Sequence, residues 1–165
     1  MMRRVRLFFL AVCCAPSFAL AQPAPAAKLA ADAVLNRFLA VWSGDGHIDP
    51  GAVDELYANR VVYYGAPVGK AEILRQKQEV GARLRGHSYH LVPGTARSSC
   101  DPSGDRCHLT GVLEWRAGHG SGSATLALDL ARIDGVLKVV REGGNVIARG
   151  RCGATGCGYH LPSLR

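Results

Sequence analysis

Apolar residues recur at helical spacing in three stretches of the first half of the chain. In residues 32–43 they fall three to four positions apart, and Gly44 follows as a stop signal. A second, short helix that carries Tyr57 is predicted to begin at Asp49-Pro50, because aspartate caps a first helical turn and proline fits its start. The third helix is predicted over residues 70–84, with its charged positions facing solvent.

The pattern changes after residue 86 to β-branched and aromatic runs separated by turn residues. A first strand is predicted earlier, at residues 61–64, and residues 65–69 break it with two glycines and a proline. Later strands are predicted at residues 87–92, 95–99, 107–116, 123–133 and 136–147. Asp134-Gly135 is typical of a tight hairpin turn. Helices followed by a strand meander predict an α+β fold, with three N-terminal helices packed on one face of a curved antiparallel sheet.

The two ends of the chain differ in composition from the middle. Basic residues, a short apolar run and small residues before position 22 are typical of a secretory signal peptide over residues 1–21. We expect a disordered Pro/Ala leader at residues 22–31, one domain at residues 32–149 and a Gly/Cys-rich tail at residues 150–165. No other apolar stretch has the roughly 20 residues of a membrane helix. The sequence therefore predicts a secreted or periplasmic protein without a membrane span.

Charge and chemistry-bearing residues exclude several functions. Loss of Arg3, Arg4 and Arg6 with the signal peptide would lower the net charge from +7 to +4. The remaining basic residues are scattered, and no aromatic-rich basic motif accompanies them, so nucleic-acid binding is not predicted. No serine lies in a nucleophile elbow and the histidines are isolated, so hydrolase chemistry has no support.

Four cysteines remain beyond the predicted signal peptide, in two local pairs. Cys100 and Cys107 flank one loop, and Cys152 and Cys157 flank another. In an exported protein two disulfides are the default interpretation, and local pairing is the simplest of three connectivities. The alternative is a four-thiolate zinc site, for which only the second pair approaches the usual ligand spacing. We expect disulfides, no bound metal and no cofactor.

The order of elements resembles the nuclear transport factor 2-like superfamily, which includes ketosteroid isomerases, polyketide cyclases and scytalone dehydratase. The strongest pieces of the resemblance are Leu56-Tyr57-Ala58-Asn59-Arg60-Val61 with Pro67-Val68-Gly69, and Leu128-Asp129-Leu130-Ala131-Arg132-Ile133-Asp134-Gly135. It covers about residues 32–149. The resemblance implies a cone-shaped α+β barrel with an apolar central cavity between the sheet and the helices. Because this fold carries both enzymes and non-enzymes, function has to be argued from the site.

The resemblance also implies where an isomerase site would lie. Ketosteroid isomerases use a carboxylate base, a first-helix tyrosine and a protonated aspartate on a late strand. Here the tyrosine position is Phe38, which has no hydroxyl, and the base position falls near Tyr64 or Gly65, where no carboxylate stands. Only the late aspartate is matched, by Asp129. Steroid isomerase activity is therefore not predicted, and Asp129 is the candidate catalytic residue if the protein is an enzyme.

The orientation of Asp129 stays open at this point. If Leu126, Leu128 and Leu130 fill the core, Asp129 is exposed on the opposite face. If Asp129 points into the cavity, the three leucines lie on the other face of the sheet, where a second copy of the chain would have to cover them. The second alternative predicts a homodimer through the sheet face.

Other candidates for the cavity wall are aromatic or charged. Tyr63 and Tyr64 are expected on opposite faces of their strand, with one of them pointing inward. For Arg141 and Glu142 three alternatives are open: a surface pair, an ion pair in the cavity, or a site for an acidic ligand. The candidate ligand-binding residues are Phe38, Trp42, Tyr63, Tyr64, Trp115, Asp129 and Arg141.

Two functions fit these observations. The first is an exported, non-catalytic module that binds a small apolar ligand or another protein, because two of the three isomerase groups are missing. The alternative is a cofactor-independent isomerase or lyase of polyketide cyclase type. It would act on a small apolar carbonyl compound with Asp129, a tyrosine and Arg141.

Overall fold

The computed structural model describes residues 25–44, 47–83, 86–118, 120–153 and 156–160, with the backbone alone for residues 25 and 151–160. The predicted signal peptide, residues 1–21, lies outside the described residues. So do residues 22–24 of the predicted leader and residues 161–165 at the end of the predicted tail.

Within the residues that the structure describes, three helices precede most of the sheet, as predicted. They are α1 (Pro25–Trp42), α2 (Pro50–Leu56) and α3 (Lys70–Arg83). The Asp49 side chain caps α2 by accepting a hydrogen bond from the Gly51 N–H at 2.9 Å. Among the helices that the structure describes, none is both long and apolar enough to cross a membrane.

The leader expected at residues 22–31 is wrong from residue 25 onward, because α1 begins at Pro25. Ala27 and Ala31 are buried, so the apolar face of α1 continues into this segment. Alanine is the strongest helix former, and its small side chain packs closely against a neighbouring surface. Composition alone does not show this packing, because a Pro/Ala-rich segment also resembles a linker. The packed face therefore decides the structure of residues 25–31.

In the part of the chain that the structure describes, nine strands form one curved sheet. They are β1 (Tyr57–Tyr63), β2 (Ala66–Gly69), β3 (Ser88–Leu91), β4 (Arg97–Cys100), β5 (Arg106–Ala117), β6 (Gly120–Ile133), β7 (Val136–Gly143), β8 (Val146–Gly153) and β9 (Gly156–His160). The main order is β2-β1-β7-β6-β5-β3. The predicted turn at Asp134-Gly135 joins β6 to β7, and both of its residues have positive φ angles. The sheet is mixed rather than purely antiparallel, because β1 pairs with β7 in parallel.

The cone shape arises where the long strands change partners. β6 pairs with β5 along most of its length, but its other edge pairs with β8 in its first half and with β7 in its second half. Within the described residues the end strands β2 and β3 do not pair with each other. The predicted cone-shaped α+β architecture is therefore confirmed, and its sheet is open and curved.

The strand predicted at residues 136–147 is two strands, separated near Gly144. A Cβ atom at Gly144 would lie 2.0 Å from the Thr125 carbonyl oxygen, so only glycine fits where the chain crosses from β7 to β8. The hairpin of β8 and β9 then extends the sheet beside β6. The domain boundary expected at residue 149 falls inside β8, so the sheet includes the described part of the predicted tail.

The core lies between the helices and one face of the sheet, here called the inner face. Leu126, Leu128 and Leu130 are 4%, 0% and 1% exposed and belong to the same buried cluster as Leu35 and Phe38 of α1. The three leucines are therefore covered by the protein's own helices. A homodimer that needs them as an exposed surface is not compatible with this packing, and Asp129 lies on the opposite, outer face.

Candidate functional site

A β-bulge in β7 decides which charged residue enters the core. Asp129 pairs with Arg141 while Leu130 pairs with Val139, so Val140 is the extra residue of the bulge. An extra residue reverses the alternation of side chains beyond it. Val139 and Glu142 therefore both point inward, and Arg141 points outward. The prediction that Arg141 lines the cavity is wrong for this reason.

Glu142 is enclosed by donors. Its side chain is 1% exposed, and Lys77 Nζ donates to Oε1 at 2.7 Å. The Tyr57 hydroxyl donates to Oε2, and Trp42 Nε1 donates to the Tyr57 oxygen at 3.2 Å. A buried carboxylate is tolerated when its charge is paired and its oxygens are hydrogen-bonded, and Glu142 meets both conditions. These four residues are called the Glu142 cluster below.

Four elements of the fold meet in the Glu142 cluster. Trp42 ends α1, Tyr57 begins β1, Lys77 lies midway along α3, and Glu142 follows the bulge of β7. The Lys77 ammonium group also lies over three aromatic rings, at 4.5 Å from the centroid of Trp42, 5.5 Å from Phe38 and 5.6 Å from Tyr63. Ring faces attract a cation at these distances. Lys77 is therefore held by a carboxylate and by an aromatic cage.

The surroundings keep the nearby tyrosines neutral. Burial, and next the negative charge of Glu142, raise the pKa of Tyr57 well above its usual range. The same two causes, in the same order, raise the pKa of Tyr63 and of Tyr89. Because each phenol keeps its proton, Tyr57 remains a hydrogen-bond donor to Glu142 throughout the ordinary pH range.

A small pocket opens beside the Glu142 cluster on the inner face and is called the inner pocket. Its volume is about 90 Å³. The aromatic residues that line it are Phe38, Trp42, Tyr64, Tyr89 and Trp115. Leu113, Ala124 and Leu126 add apolar wall, and Lys77 and Glu142 form the charged end. Both tryptophans of the chain therefore face this pocket.

The two adjacent tyrosines of the first strand end up on the same side. Tyr63 reaches Lys77 from the end of β1, while Tyr64 lines the inner pocket from the turn that follows. The expectation that they face opposite sides is wrong, because β1 ends at Tyr63 and Tyr64 has a positive φ of 47°. Tyr64 as a residue is 57% exposed and lines the inner pocket, so it stands at the mouth of that pocket.

A larger and more open depression of about 600 Å³ lies on the outer face and is called the outer groove. Asp129 lies in it between two partners, with His108 Nδ1 at 2.5 Å and Arg141 Nε at 3.1 Å. The three side chains are 37% to 61% exposed. The structure thus brings Asp129 and Arg141 together, but it separates both from the aromatic candidates. Asp129 is not a cavity residue.

The cysteines of the first pair border the outer groove. Cys100 and Cys107 stand opposite each other on β4 and β5 and are joined by a disulfide bond. Cys152 and Cys157 are likewise opposite each other in the backbone register of β8 and β9. The side chains of this second pair lie outside the described residues, so their disulfide remains a prediction.

Sequence reasoning missed three of the residues that matter most: Tyr57, Lys77 and Glu142. Tyr57 belongs to the motif that carries the family resemblance, but the sequence pattern predicts it on the second helix, whereas it is the first residue of β1. The pattern of α3 predicts that Lys77 faces solvent, whereas its side chain is 17% exposed. The sequence allows Glu142 to form an ion pair in the cavity, but with its neighbour Arg141. In the structure the partner of Glu142 is Lys77.

No family model and no curated protein matches the sequence. The fold is similar to solved structures of low sequence identity. A protein of unknown function with a cystatin-like fold from Nostoc punctiforme is 14% identical, with a TM-score of 0.60 over 76% of this chain and 94% of that chain. A candidate scytalone dehydratase from Novosphingobium aromaticivorans is 12% identical, with a TM-score of 0.61 over 84% and 94%. A candidate aromatic ring hydroxylase from the same organism is 15% identical, with a TM-score of 0.63 over 84% and 96%.

These similarities confirm the fold expected from the sequence. The chain has the α+β cone fold of the nuclear transport factor 2-like superfamily. At 12% to 15% identity the neighbours carry no information about the ligand or reaction of this chain. Function has to be argued from the inner pocket and the outer groove.

Proposed function

We propose that this protein binds a small, largely apolar molecule in the inner pocket and does not convert it. The observation that carries the proposal is the composition of the pocket wall. Five aromatic and two leucine side chains converge there, and the charged residues that line it, Lys77 and Glu142, already neutralise each other. Small-molecule sites are typically apolar cavities with a few polar groups that fix the orientation of the ligand.

The hydrogen bonds of Glu142 support binding rather than turnover. Lys77 engages one carboxylate oxygen and Tyr57 engages the other, so the carboxylate is held in place instead of being left free to accept a proton. Asp129, the catalytic candidate from the sequence, lies in the outer groove with Arg141. The geometry therefore supports a ligand-holding cavity.

The proposal includes an exported location, either secreted or periplasmic. The N-terminal sequence has the features of a signal peptide. The disulfide between Cys100 and Cys107 supports the same location, because such bonds persist in oxidising compartments.

A second candidate function is a cofactor-independent isomerase or lyase that acts on a small carbonyl compound. The observation in its favour is a carboxylate, Glu142, next to a neutral phenol, Tyr57, at the end of an apolar pocket. In this alternative Glu142 takes the role expected of Asp129 and removes a proton next to the carbonyl group. Incubation with cyclohexanone in deuterated water tests it: exchange of the α-hydrogens that is lost in Glu142→Gln supports the enzyme and overturns the binding proposal.

The binding proposal is tested by intrinsic fluorescence, because both tryptophans line the inner pocket. Small cyclic alcohols and aromatic compounds, including cyclohexanol and benzyl alcohol, are titrated against the protein. We expect a saturable change in emission. Ala124→Leu fills the inner pocket and should abolish the change. Ala131→Leu places the same group in the outer groove from the same strand and should preserve it.

The two variants make the result specific to the site. Equal loss in both would mean that the change reflects stability rather than occupancy. Saturable binding that Ala131→Leu removes and Ala124→Leu spares would place the ligand in the outer groove and overturn the proposal.

A further inference from the structure

We propose that the inner pocket selects an organic ammonium ion, such as a quaternary amine, and that Lys77 occupies the ammonium position when the ligand is absent. This inference rests on the proposed ligand-binding function of the same pocket and adds the chemical class of the ligand. The inference follows from the contacts of the Lys77 ammonium group. The protein surrounds this group with aromatic rings and a carboxylate, which are the contacts that an ammonium ligand would make.

The surroundings of the Lys77 ammonium group match a cation site in two independent respects. It lies within 4.5 to 5.6 Å of the ring centroids of Trp42, Phe38 and Tyr63. It also pairs at 2.7 Å with Glu142, a carboxylate that is 1% exposed. Aromatic faces around a cation are the arrangement that recognises quaternary ammonium groups, and a buried carboxylate supplies the opposite charge.

Charge balance favours a cation over the other ligand classes. An anionic ligand would bring a second negative charge next to Glu142, which costs energy in a desolvated site. A neutral ligand gains nothing from the carboxylate. An ammonium ion that displaces Lys77 from Glu142 replaces one positive charge by another, so the buried carboxylate stays paired.

Lys77 can leave the site without unfolding the helix that carries it. Its side chain is 17% exposed, so the site already reaches the surface of the protein. Lysine is a point charge on a flexible four-carbon stem, and its ammonium group is strongly hydrated. A methylated ammonium ion is hydrated less strongly. When the ligand binds, the Lys77 ammonium group therefore moves into water, where it is well hydrated, and the ligand takes its place in the pocket.

The exchange is tested with a matched pair of probes, choline and its neutral carbon isostere 3,3-dimethylbutan-1-ol, followed by tryptophan fluorescence. The two molecules have nearly the same shape and differ in charge. We expect choline to bind about tenfold more tightly than the alcohol, because a desolvated cation–π contact and a carboxylate act on the charge alone. Glu142→Gln should reduce this preference, because it removes the carboxylate and leaves the aromatic wall in place.

Removal of the competing cation should raise affinity for choline. In Lys77→Met we expect choline to bind several-fold more tightly than in the unchanged protein. Lys70→Met is the control, because Lys70 lies on the same helix but pairs with Asp54 at the surface. If Lys77→Met does not fold, the two probes on the unchanged protein still decide the question.

The outcomes separate this inference from the proposed function. Equal or tighter binding of the neutral alcohol overturns the ammonium inference and leaves the apolar binding function standing. Tighter binding of benzoate than of choline, lost in Lys77→Met, also overturns it, because Lys77 would then be a receptor for anions. Failure of every probe, including the cyclic alcohols, overturns the proposed function itself.

Discussion

The inner pocket and the outer groove lie on opposite faces of the sheet, both are lined by residues of β5, β6 and β7, and each contains a carboxylate paired with a cation. Glu142 on the inner face is 1% exposed and has both oxygens engaged by Lys77 and Tyr57. Asp129 on the outer face is 37% exposed and meets Arg141 and His108 in contact with water. The Glu142 pair is therefore buried and fixed by its hydrogen bonds, whereas the Asp129 pair is exposed to solvent.

The difference originates in one residue of β7. The bulge at Val140 turns Glu142 inward and Arg141 outward, although the two are neighbours in the chain. Water screens the outer pair, so its expected contribution is small. On the inner face the carboxylate is retained only because its partners converge from other elements of the fold. Substitutions on the inner face should therefore lower the free energy of unfolding more than substitutions on the outer face.

The largest difference is expected for loss of the two carboxylates. Glu142→Ala leaves the Lys77 charge and the Tyr57 hydroxyl without their partner in a buried site, so the free energy of unfolding should fall by about 3 kcal/mol. Asp129→Ala should change it by less than about 1 kcal/mol. Urea denaturation measures both values. Equal effects for the two variants would contradict the contrast between the faces.

Removal of the disulfide beside the outer groove should have the next largest effect. Replacing Cys100 and Cys107 together by serine frees a short loop, and the free energy of unfolding should fall by about 2 kcal/mol. Fluorescence titration with a ligand of the inner pocket should give the same affinity as before, at a temperature where the variant is folded. A large loss of affinity would mean that the two sites are coupled through the sheet.

A smaller effect is expected from the hydroxyl of Tyr57. Tyr57→Phe leaves Trp42 Nε1 without its acceptor and one oxygen of Glu142 without its donor, at a cost of about 1 to 2 kcal/mol. Tyr64→Phe, at the mouth of the pocket, should be close to neutral. Thermal denaturation of both variants tests this, and a neutral Tyr57→Phe would show that the hydrogen bond carries no net stability.

Alkaline pH should act on the inner side. The pKa values of Tyr57, Tyr63 and Tyr89 are raised in the folded protein, so above pH 10 the unfolded chain releases protons that the folded chain keeps. Stability is therefore fully present below pH 10 and falls as the pH rises further. Tyrosinate absorbance should appear in these residues only on unfolding. Early ionisation of Tyr57, assigned by comparison with Tyr57→Phe, would contradict its burial.

Much of the fold could be predicted from local patterns. Helical spacing and strand alternation identify three helices and the main strands, and the capping aspartate identifies the start of α2. The parallel pairing of β1 with β7 and the start of α1 at Pro25 could not be predicted, since both depend on packing between segments distant in sequence. The described part of the predicted tail joins the sheet for the same reason.

The site was predictable only in its aromatic part. Large aromatic side chains in the hydrophobic pattern are predicted to be buried, which makes them candidates for the cavity wall. Four of these candidates do line the inner pocket: Phe38, Trp42, Tyr64 and Trp115. Lys77 and Tyr57 lie 65 and 85 residues from Glu142 in the chain, and no motif joins them. A bulge has no fixed sequence mark, so the sequence alone could not show that Glu142 rather than its neighbour Arg141 points into the cavity.

The most direct test of the central claim is a crystal structure of the protein bound to a compound selected by the fluorescence titration. We predict density for the compound between Trp42 and Trp115, next to the Lys77–Glu142 pair, with Tyr64 displaced at the mouth of the pocket. Density beside Asp129 and Arg141 in the outer groove, with the inner pocket unchanged, would contradict the assignment of the inner pocket as the ligand site.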